Sequence, residues 1–189
     1  MSEKKKALIE TATRLFAQFG FHAVGIDRII AESRVAKMTM YKHFPSKSRL
    51  VVEVLNEQGA ALAAGIAAAV AAHSDAMDKL HAIFQWHDAW FRSETFTGNL
   101  LVHAAAEFHA EENEILAASQ AQRGAFVHSL QRILDERFDS ETAARLARRC
   151  ALLIDGATLA RQLSGRIDAA RDAWEIAQAL LENERMHVA

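Results

Sequence analysis

The sequence contains one cysteine, one proline and one tyrosine, and it has no long uninterrupted apolar run. A single thiol, Cys150, excludes an intrachain disulfide framework and is typical of a reducing compartment. Its neighbours in LARRCALLIDGA are apolar, so we interpret it as a small core residue. The longest apolar run, AALAAGIAAAVAA at residues 60–72, is too short and too rich in alanine to cross a bilayer.

The N-terminal segment also lacks a targeting signal. In MSEKKKALIETATRLF the three lysines are not followed by a continuous apolar stretch, which a secretory signal requires. Together with the single cysteine, this predicts a soluble, cytoplasmic protein that has no membrane partner.

Runs of β-branched residues are scarce, whereas alanine, leucine, glutamate, arginine and glutamine are abundant. These residues favour helices, and Pro45 is the only residue that cannot continue one. The composition therefore predicts an all-α fold. Apolar periodicity and capping residues divide the chain into about nine helices, at 4–19, 26–33, 37–44, 46–72, 75–92, 99–109, 112–137, 140–163 and 168–186.

Positive charge is concentrated at the N-terminus. Residues 1–50 carry ten Lys and Arg against four Asp and Glu, whereas residues 51–189 carry twelve against twenty. The stretch RVAKMTMYKHFPSKSR at residues 34–49 contains no acidic residue. Such segregation indicates an anionic partner for the N-terminal segment. Nucleic acid is the first candidate; a membrane surface is the second, but the short, broken helices lack a long amphipathic face.

The second and third helices, separated by a tight break at residues 34–36, have the layout of a helix-turn-helix, whose second helix enters the major groove. Met40 and Phe44 lie on the apolar stripe of the third helix and are expected in the core. The residues expected to contact DNA are Arg28, Ala36, Lys37, Met38, Thr39, Tyr41, Lys42, His43 and Lys47.

The side chains of this group suit the chemistry of DNA. Lys37 and Lys42 can bind phosphates or guanine edges, and Thr39 can bind a phosphate or touch a thymine methyl group. The Tyr41 hydroxyl and the His43 ring can form hydrogen bonds with phosphate oxygens.

The segment LIETATRLFAQFGFHAVGIDRIIAES at residues 8–33, followed by VAKMTMYKHFPSKSRL at residues 35–50, resembles the TetR family of bacterial transcriptional regulators. The resemblance implies a helix-turn-helix DNA-binding domain at residues 1–50, with a linking helix at about 46–72. It also implies a domain at residues 51–189 that binds a ligand and forms a homodimer.

The sequence departs from the family pattern at three positions. Arg34 stands in the turn where glycine is usual, and it would be strained if its φ angle is positive. Ala36 replaces a serine or threonine N-cap, and Met38 replaces a common glycine. These departures bear on which operator sequence is recognised.

Aromatic and histidine side chains are dense in LHAIFQWHDAWF at residues 80–91, which predicts a helix that is buried on most sides. We expect a pocket for a small, largely apolar effector in this part of the chain. Its predicted lining residues are Trp86, His87, Trp90, His103, Phe108 and Phe126.

An alternative function is that of a helical metal-dependent enzyme. His103 and Glu107 are one helical turn apart and His109 follows, so these three residues could ligate a metal ion. One such pair is weak evidence, and no nucleophile elbow, phosphate-binding loop or paired cysteines accompany it. We therefore expect no metal, no cofactor and no catalytic residue.

The last two helices are apolar enough to form a dimer interface. Residues 150–159 are apolar around most of the helix, and Gly156 permits close approach of another helix. In the resembled family these two helices form a four-helix bundle with the partner. The predicted interface residues are Leu153, Gly156, Leu159, Trp174, Ala177 and Leu181. A dimer would present two recognition helices to a near-palindromic double-stranded DNA operator. The predicted function is that of a repressor that leaves this operator when its effector binds.

Overall fold

The computed structural model of the chain describes residues 2–94, 96–108 and 113–188. Within these residues the protein is all-α, as predicted, with nine helices and no strand. The helices are α1 (Glu3–Phe19), α2 (Ile26–Ser33), α3 (Lys37–His43), α4 (Lys47–Val70), α5 (Ala76–Arg92), α6 (Leu100–Glu107), α7 (Asn113–Leu134), α8 (Ser140–Ser164) and α9 (Ala169–Val188).

Side-chain caps fix where several helices begin. The Ser2 side chain accepts a hydrogen bond from the Lys5 amide at the start of α1. The Asp75 side chain accepts one from the Met77 amide at the start of α5. For α6 and α8 the side-chain caps are Asn99 and Asp139. The amides that follow Asp139 donate to its carboxylate and hold the pKa of that carboxyl below its usual value.

The chain forms two compact units. The first unit consists of Met1–Ala61 and Asn99–Arg123, and the second of Leu62–Gly98 and Gly124–Ala189. This division differs from the predicted boundary at residue 50, because α6 and the beginning of α7 belong with the N-terminal helices.

The core of the first unit explains that difference. Phe16, Phe21 and Met40 from the N-terminal helices have no exposed surface. Phe108 and Ile115, from beyond α6 and from α7, are buried in the same core. Burying these apolar side chains removes them from water, which holds the two segments of the unit together.

The core of the second unit is built mainly from α5, α8 and α9. Cys150 is buried within it, and burial raises the pKa of its thiol to about 11. The prediction that Cys150 is a core residue is therefore confirmed. In the described part of the chain one helix, α4, is long and apolar enough to cross a membrane, and a single such helix is weak evidence for a span.

Candidate DNA-binding surface and effector site

The turn between α2 and α3 contains a strained residue. Arg34 has φ 56° and ψ 26°, in the left-handed region, and it is the one non-glycine residue with a positive φ in the described ranges. A side chain in this conformation costs about 1 kcal/mol. Ala36 precedes α3 without a side-chain cap. Arg34 therefore has the positive φ angle that its replacement of glycine makes unfavourable, and α3 begins without a side-chain cap.

Helix α3 is anchored by two side chains and presents the rest to solvent. Met40 is fully buried and Phe44 is 3% exposed, as predicted. In contrast, Met38 is 83% exposed and Tyr41 is 43% exposed. Lys42 is exposed as well. The outward face of α3 is consequently accessible over most of its length.

Ion pairs already hold two of the predicted DNA contacts. Lys37 Nζ lies 3.0 Å from an Asp27 carboxylate oxygen, and this bond raises the pKa of the lysine. Arg28 Nε lies 2.9 Å from Glu32, whose pKa is lowered by Arg14 and by Arg28. A phosphate would have to compete with these carboxylates, which are largely solvated.

The other predicted contacts lie on the same unit. Thr39 and His43 are half-buried, and His43 Nε2 lies 3.4 Å from Ser2 Oγ. Lys47 Nζ donates to the backbone oxygen of His22 at 3.5 Å. Lys42 forms no ion pair with any described residue, so its ammonium group is the most available cation of α3.

An aromatic cluster occupies the second unit. It comprises Trp86, His87, Trp90, Phe91, Phe96 and Phe126. The Trp86 and Trp90 ring centroids are 5.7 Å apart, and His87 lies 6.2 Å from Phe126. Gly65 of α4 makes room for the cluster, because a Cβ atom there would lie 2.7 Å from Trp86 Nε1.

His87 is the polar member of this cluster. The ring is 6% exposed, and its Nδ1 lies 2.8 Å from the backbone oxygen of Ile83. Since a carbonyl oxygen can only accept, Nδ1 carries the proton and Nε2 is the acceptor of the neutral ring. Burial lowers the pKa of His87 to about 4, so the ring is neutral near pH 7.

Two predicted pocket residues belong to the first unit instead. His103 is on α6, and Phe108 follows that helix. Phe108 is 5% exposed and packs against Phe21 and His22, with ring centroids 5.5 and 4.8 Å apart. The structure therefore brings together Trp86, His87, Trp90 and Phe126 in one unit, and it uses Phe108 in the core of the other.

Glu107, a predicted ligand of the alternative metal site, has other partners in the described part of the chain. The Glu107 carboxylate accepts hydrogen bonds from the backbone amides of Phe21 and His22, and His109 lies outside the described residues. Among the residues that are described, no group of three or more His, Cys, Asp or Glu side chains could hold a metal ion.

The predicted dimer residues divide into exposed and buried members. Leu159 is 46% exposed, Gly156 is exposed and Leu153 is half-buried. Ala177 and Leu181, which were predicted to lie in the interface, have no exposed surface and pack in the core of their own chain.

Trp174 is half-buried and is also used within the second unit. Its ring stacks on His81 at 4.5 Å and packs against Phe84 at 5.3 Å. The contacts place it in a groove of about 310 Å³ between α5 and α9. The charged residues of this groove pair with one another, since Arg171 donates to Asp88 at 3.2 Å.

The exposed apolar residues of α8 and α9 are partly different from those predicted. They are Leu152 at 65%, Leu159 at 46%, Leu163 at 75% and Ile176 at 52% exposure. With Gly156, the α8 members follow the i, i+4, i+7, i+11 spacing of one helix face. Gly156 and Leu159 of this α8–α9 stripe were among the predicted residues, whereas Leu152, Leu163 and Ile176 were not, because α8 is apolar on several sides and the sequence alone does not show which side packs inward.

Comparison with known proteins agrees with this geometry. A family model described as bacterial regulatory proteins of the tetR family matches residues 8–54. The chain is 43% identical over 56 residues to the uncharacterized HTH-type transcriptional regulator YuxN of Bacillus subtilis, covering 30% of this chain and 19% of that protein. It is 39% identical over 57 residues to the HTH-type transcriptional regulator RutR of Escherichia coli, covering 30% and 27%. The chain thus spans less than a third of the length of these two relatives.

Solved structures extend the similarity to the whole chain. The TetR-family transcriptional regulator SCO4454 from Streptomyces coelicolor superposes with a TM-score of 0.84 and 28% identity, covering 97% of this chain and 96% of that one. The reduced form of NemR from Escherichia coli superposes with a TM-score of 0.81 at 18% identity, covering 94% and 96%. The second comparison shows a shared fold only.

His87 is expected to make folding stability depend on pH. Its pKa of about 4 in the folded chain lies below the ordinary value of 6.5, so the unfolded chain binds the proton more readily. The contribution of His87 to the free energy of unfolding is then fully present above about pH 6.5, and it falls by up to about 1.4 kcal/mol per pH unit as the pH decreases towards 4. Urea unfolding of the wild type and of His87→Leu at about pH 7 and about pH 5 measures the effect. His87→Leu should remove this part of the slope, whereas His73→Leu, at an exposed position, should keep it; equal slopes in all three would contradict the expectation.

Proposed function

We propose that this chain is a member of the TetR family of bacterial regulatory proteins, and that it acts as a cytoplasmic, dimeric transcriptional repressor that a small molecule releases from its DNA operator. The observation that carries the proposal is the arrangement of α3. Met40 and Phe44 are buried beneath a helix whose outer face exposes Met38, Tyr41 and Lys42. A helix held in this way can enter a major groove without unfolding.

The predicted DNA contacts have separate roles in this proposal. Lys42 and Tyr41 bind phosphates and fix the register of α3, while Lys37 and Arg28 exchange their carboxylate partners for phosphates as DNA approaches. Met38 is the exposed apolar side chain of the helix. It faces the one apolar group that the major groove offers, the thymine methyl group.

A second copy of the chain is proposed to cover the α8–α9 stripe. The exposed leucines of α8 share one helix face, and Ile176 is a further exposed apolar side chain on α9; exposed apolar groups of this kind mark protein–protein interfaces. Gly156 carries no side chain and faces open space in the single chain, so a helix of the partner can approach it closely. A twofold dimer presents two α3 helices to a near-palindromic operator.

The aromatic cluster is the proposed effector site. Trp86, Trp90 and Phe126 are partly buried and offer flat apolar surface, and the neutral His87 ring adds a hydrogen-bond acceptor. These groups favour a small, largely apolar effector. Because α4 contains Gly65, which contacts Trp86, and also begins beside the helix-turn-helix, a ligand at the cluster would tilt α4 and change DNA affinity. A hundredfold change requires a free-energy difference of about 3 kcal/mol between the two states.

The alternative of a metal-dependent enzyme has little support. The Glu107 carboxylate is engaged by two backbone amides, and the relatives named above are described as transcriptional regulators.

Binding to DNA from upstream of its own or a neighbouring gene tests the proposal. We expect sequence-specific binding in a fluorescence anisotropy assay with competitor DNA at physiological salt. Lys42→Ala should weaken binding and reduce the slope of log K against log salt by about one, because one phosphate contact is lost. Arg132→Ala, which removes the same charge from an exposed position on α7, should leave both quantities unchanged. The absence of any sequence preference in the wild type would overturn the proposal.

Met38 should determine part of the operator sequence. We expect the preferred half-site to contain a thymine whose replacement by deoxyuridine, which removes only the methyl group, weakens wild-type binding by about fourfold. Met38→Ala should bind the two DNAs equally. Deoxyuridine at a thymine outside the half-sites is the control, and an equal loss in wild type and variant would exclude this contact.

Leu159 should be required for dimerisation. Replacing it by aspartate places a charge in the centre of the α8–α9 stripe, so the chain should sediment as a monomer and bind operator DNA weakly. Because Leu159 is 46% exposed in one chain, the variant should remain folded. Ala89→Asp, at an exposed position on α5, should stay dimeric, and a dimeric Leu159→Asp would show that the interface lies elsewhere.

A further inference from the structure

The turn between α1 and α2 is held by a residue from a distant helix. The Glu107 carboxylate, at the end of α6, accepts a hydrogen bond from the Phe21 amide at 2.9 Å and another from the His22 amide at 3.0 Å. Both carboxylate oxygens lie within reach of the Phe21 amide. Hydrogen bonds from amides to a charged acceptor are stronger than those to a neutral one.

Further contacts fit the same turn to the same helix end. The His22 ring nitrogen Nε2 donates to the Glu107 backbone oxygen at 2.9 Å, and the Phe108 ring packs on the His22 ring at 4.8 Å. Gly20 has φ 81°, and a Cβ atom there would lie 3.0 Å from the carboxylate. The turn and the end of α6 are therefore shaped to each other.

This turn leads directly into the helix-turn-helix. Phe21 has no exposed surface, and its ring packs on Phe16 of α1 at 4.9 Å. The backbone oxygen of His22 accepts a hydrogen bond from Lys47 at the start of α4. Three helices, α1, α4 and α6, thus contact one short turn, and the chain continues from that turn into α2.

The charge of Glu107 does not explain its position. Its carboxylate forms no ion pair with any residue that the structure describes, and a negative charge in a unit that binds DNA weakens the attraction of phosphates. The carboxylate is instead matched by backbone amides, which indicates a geometric role.

We propose that Glu107 is a positioning residue for DNA recognition, through which α6 controls the placement of α2 and α3. The inference rests on the proposed function.

Substitution of Glu107 tests this role, because losing a positioning contact lowers the affinity for the operator, whereas losing a negative charge raises the affinity for DNA. In Glu107→Ala we expect operator affinity to fall by about tenfold, since two charge-assisted hydrogen bonds that fix the turn are lost. Affinity for non-specific DNA should stay equal or rise slightly, because one negative charge is removed. Glu107→Gln should be intermediate, since its single oxygen can still accept. Amide hydrogen exchange at Phe21 and His22 should accelerate in the same order.

The control removes the same charge elsewhere in the first unit. Glu114 pairs with Arg49 at 3.3 Å, and Glu114→Gln should not weaken operator binding. Binding is measured where circular dichroism shows every variant to be folded; if Glu107→Ala does not fold, Glu107→Gln carries the test. Folded variants with faster exchange at the turn but wild-type operator affinity would show that Glu107 only stabilises the fold. A wild type without sequence preference would instead refute the proposed function.

Discussion

The recognition surface depends on the burial of two side chains beneath a very short helix. Helix α3 has seven residues, and a helix of that length is unstable in water on its own. Met40 and Phe44 anchor it to the core of the first unit, and every outward-facing residue owes its position to that anchor. The other features of the turn tolerate departures: Arg34 adopts a left-handed conformation and Ala36 gives no cap.

The sequence was sufficient to predict the parts that depend on local chemistry. Glycine and proline mark helix ends through backbone geometry, so Gly20 and Pro45 placed α1 and α3 to within a residue. The spacing of apolar residues identified Met40 and Phe44 as core. The aromatic density of α5 likewise indicated the cluster around Trp86.

The parts that were not predicted depend on contacts between distant residues. The role of Glu107 requires α6 to pack near the turn at Phe21, 86 residues earlier in the chain, and no local pattern encodes that contact. Ala177 and Leu181 carry the apolar character of an interface, but they are buried within one chain. Their environment follows from how α8 and α9 pack, which apolar composition does not specify.

The first unit is discontinuous in sequence, and this has a consequence for how such a protein can be divided or recombined. Residues 99–123 complete a core that begins with residues 1–61. A DNA-binding domain cut at residue 50 would expose the partners of Phe108 and Ile115 and lose the carboxylate that caps its first turn. Exchange of this domain between regulators, in the laboratory or in evolution, would have to transfer the α6 segment with it or supply a replacement that fits the same turn.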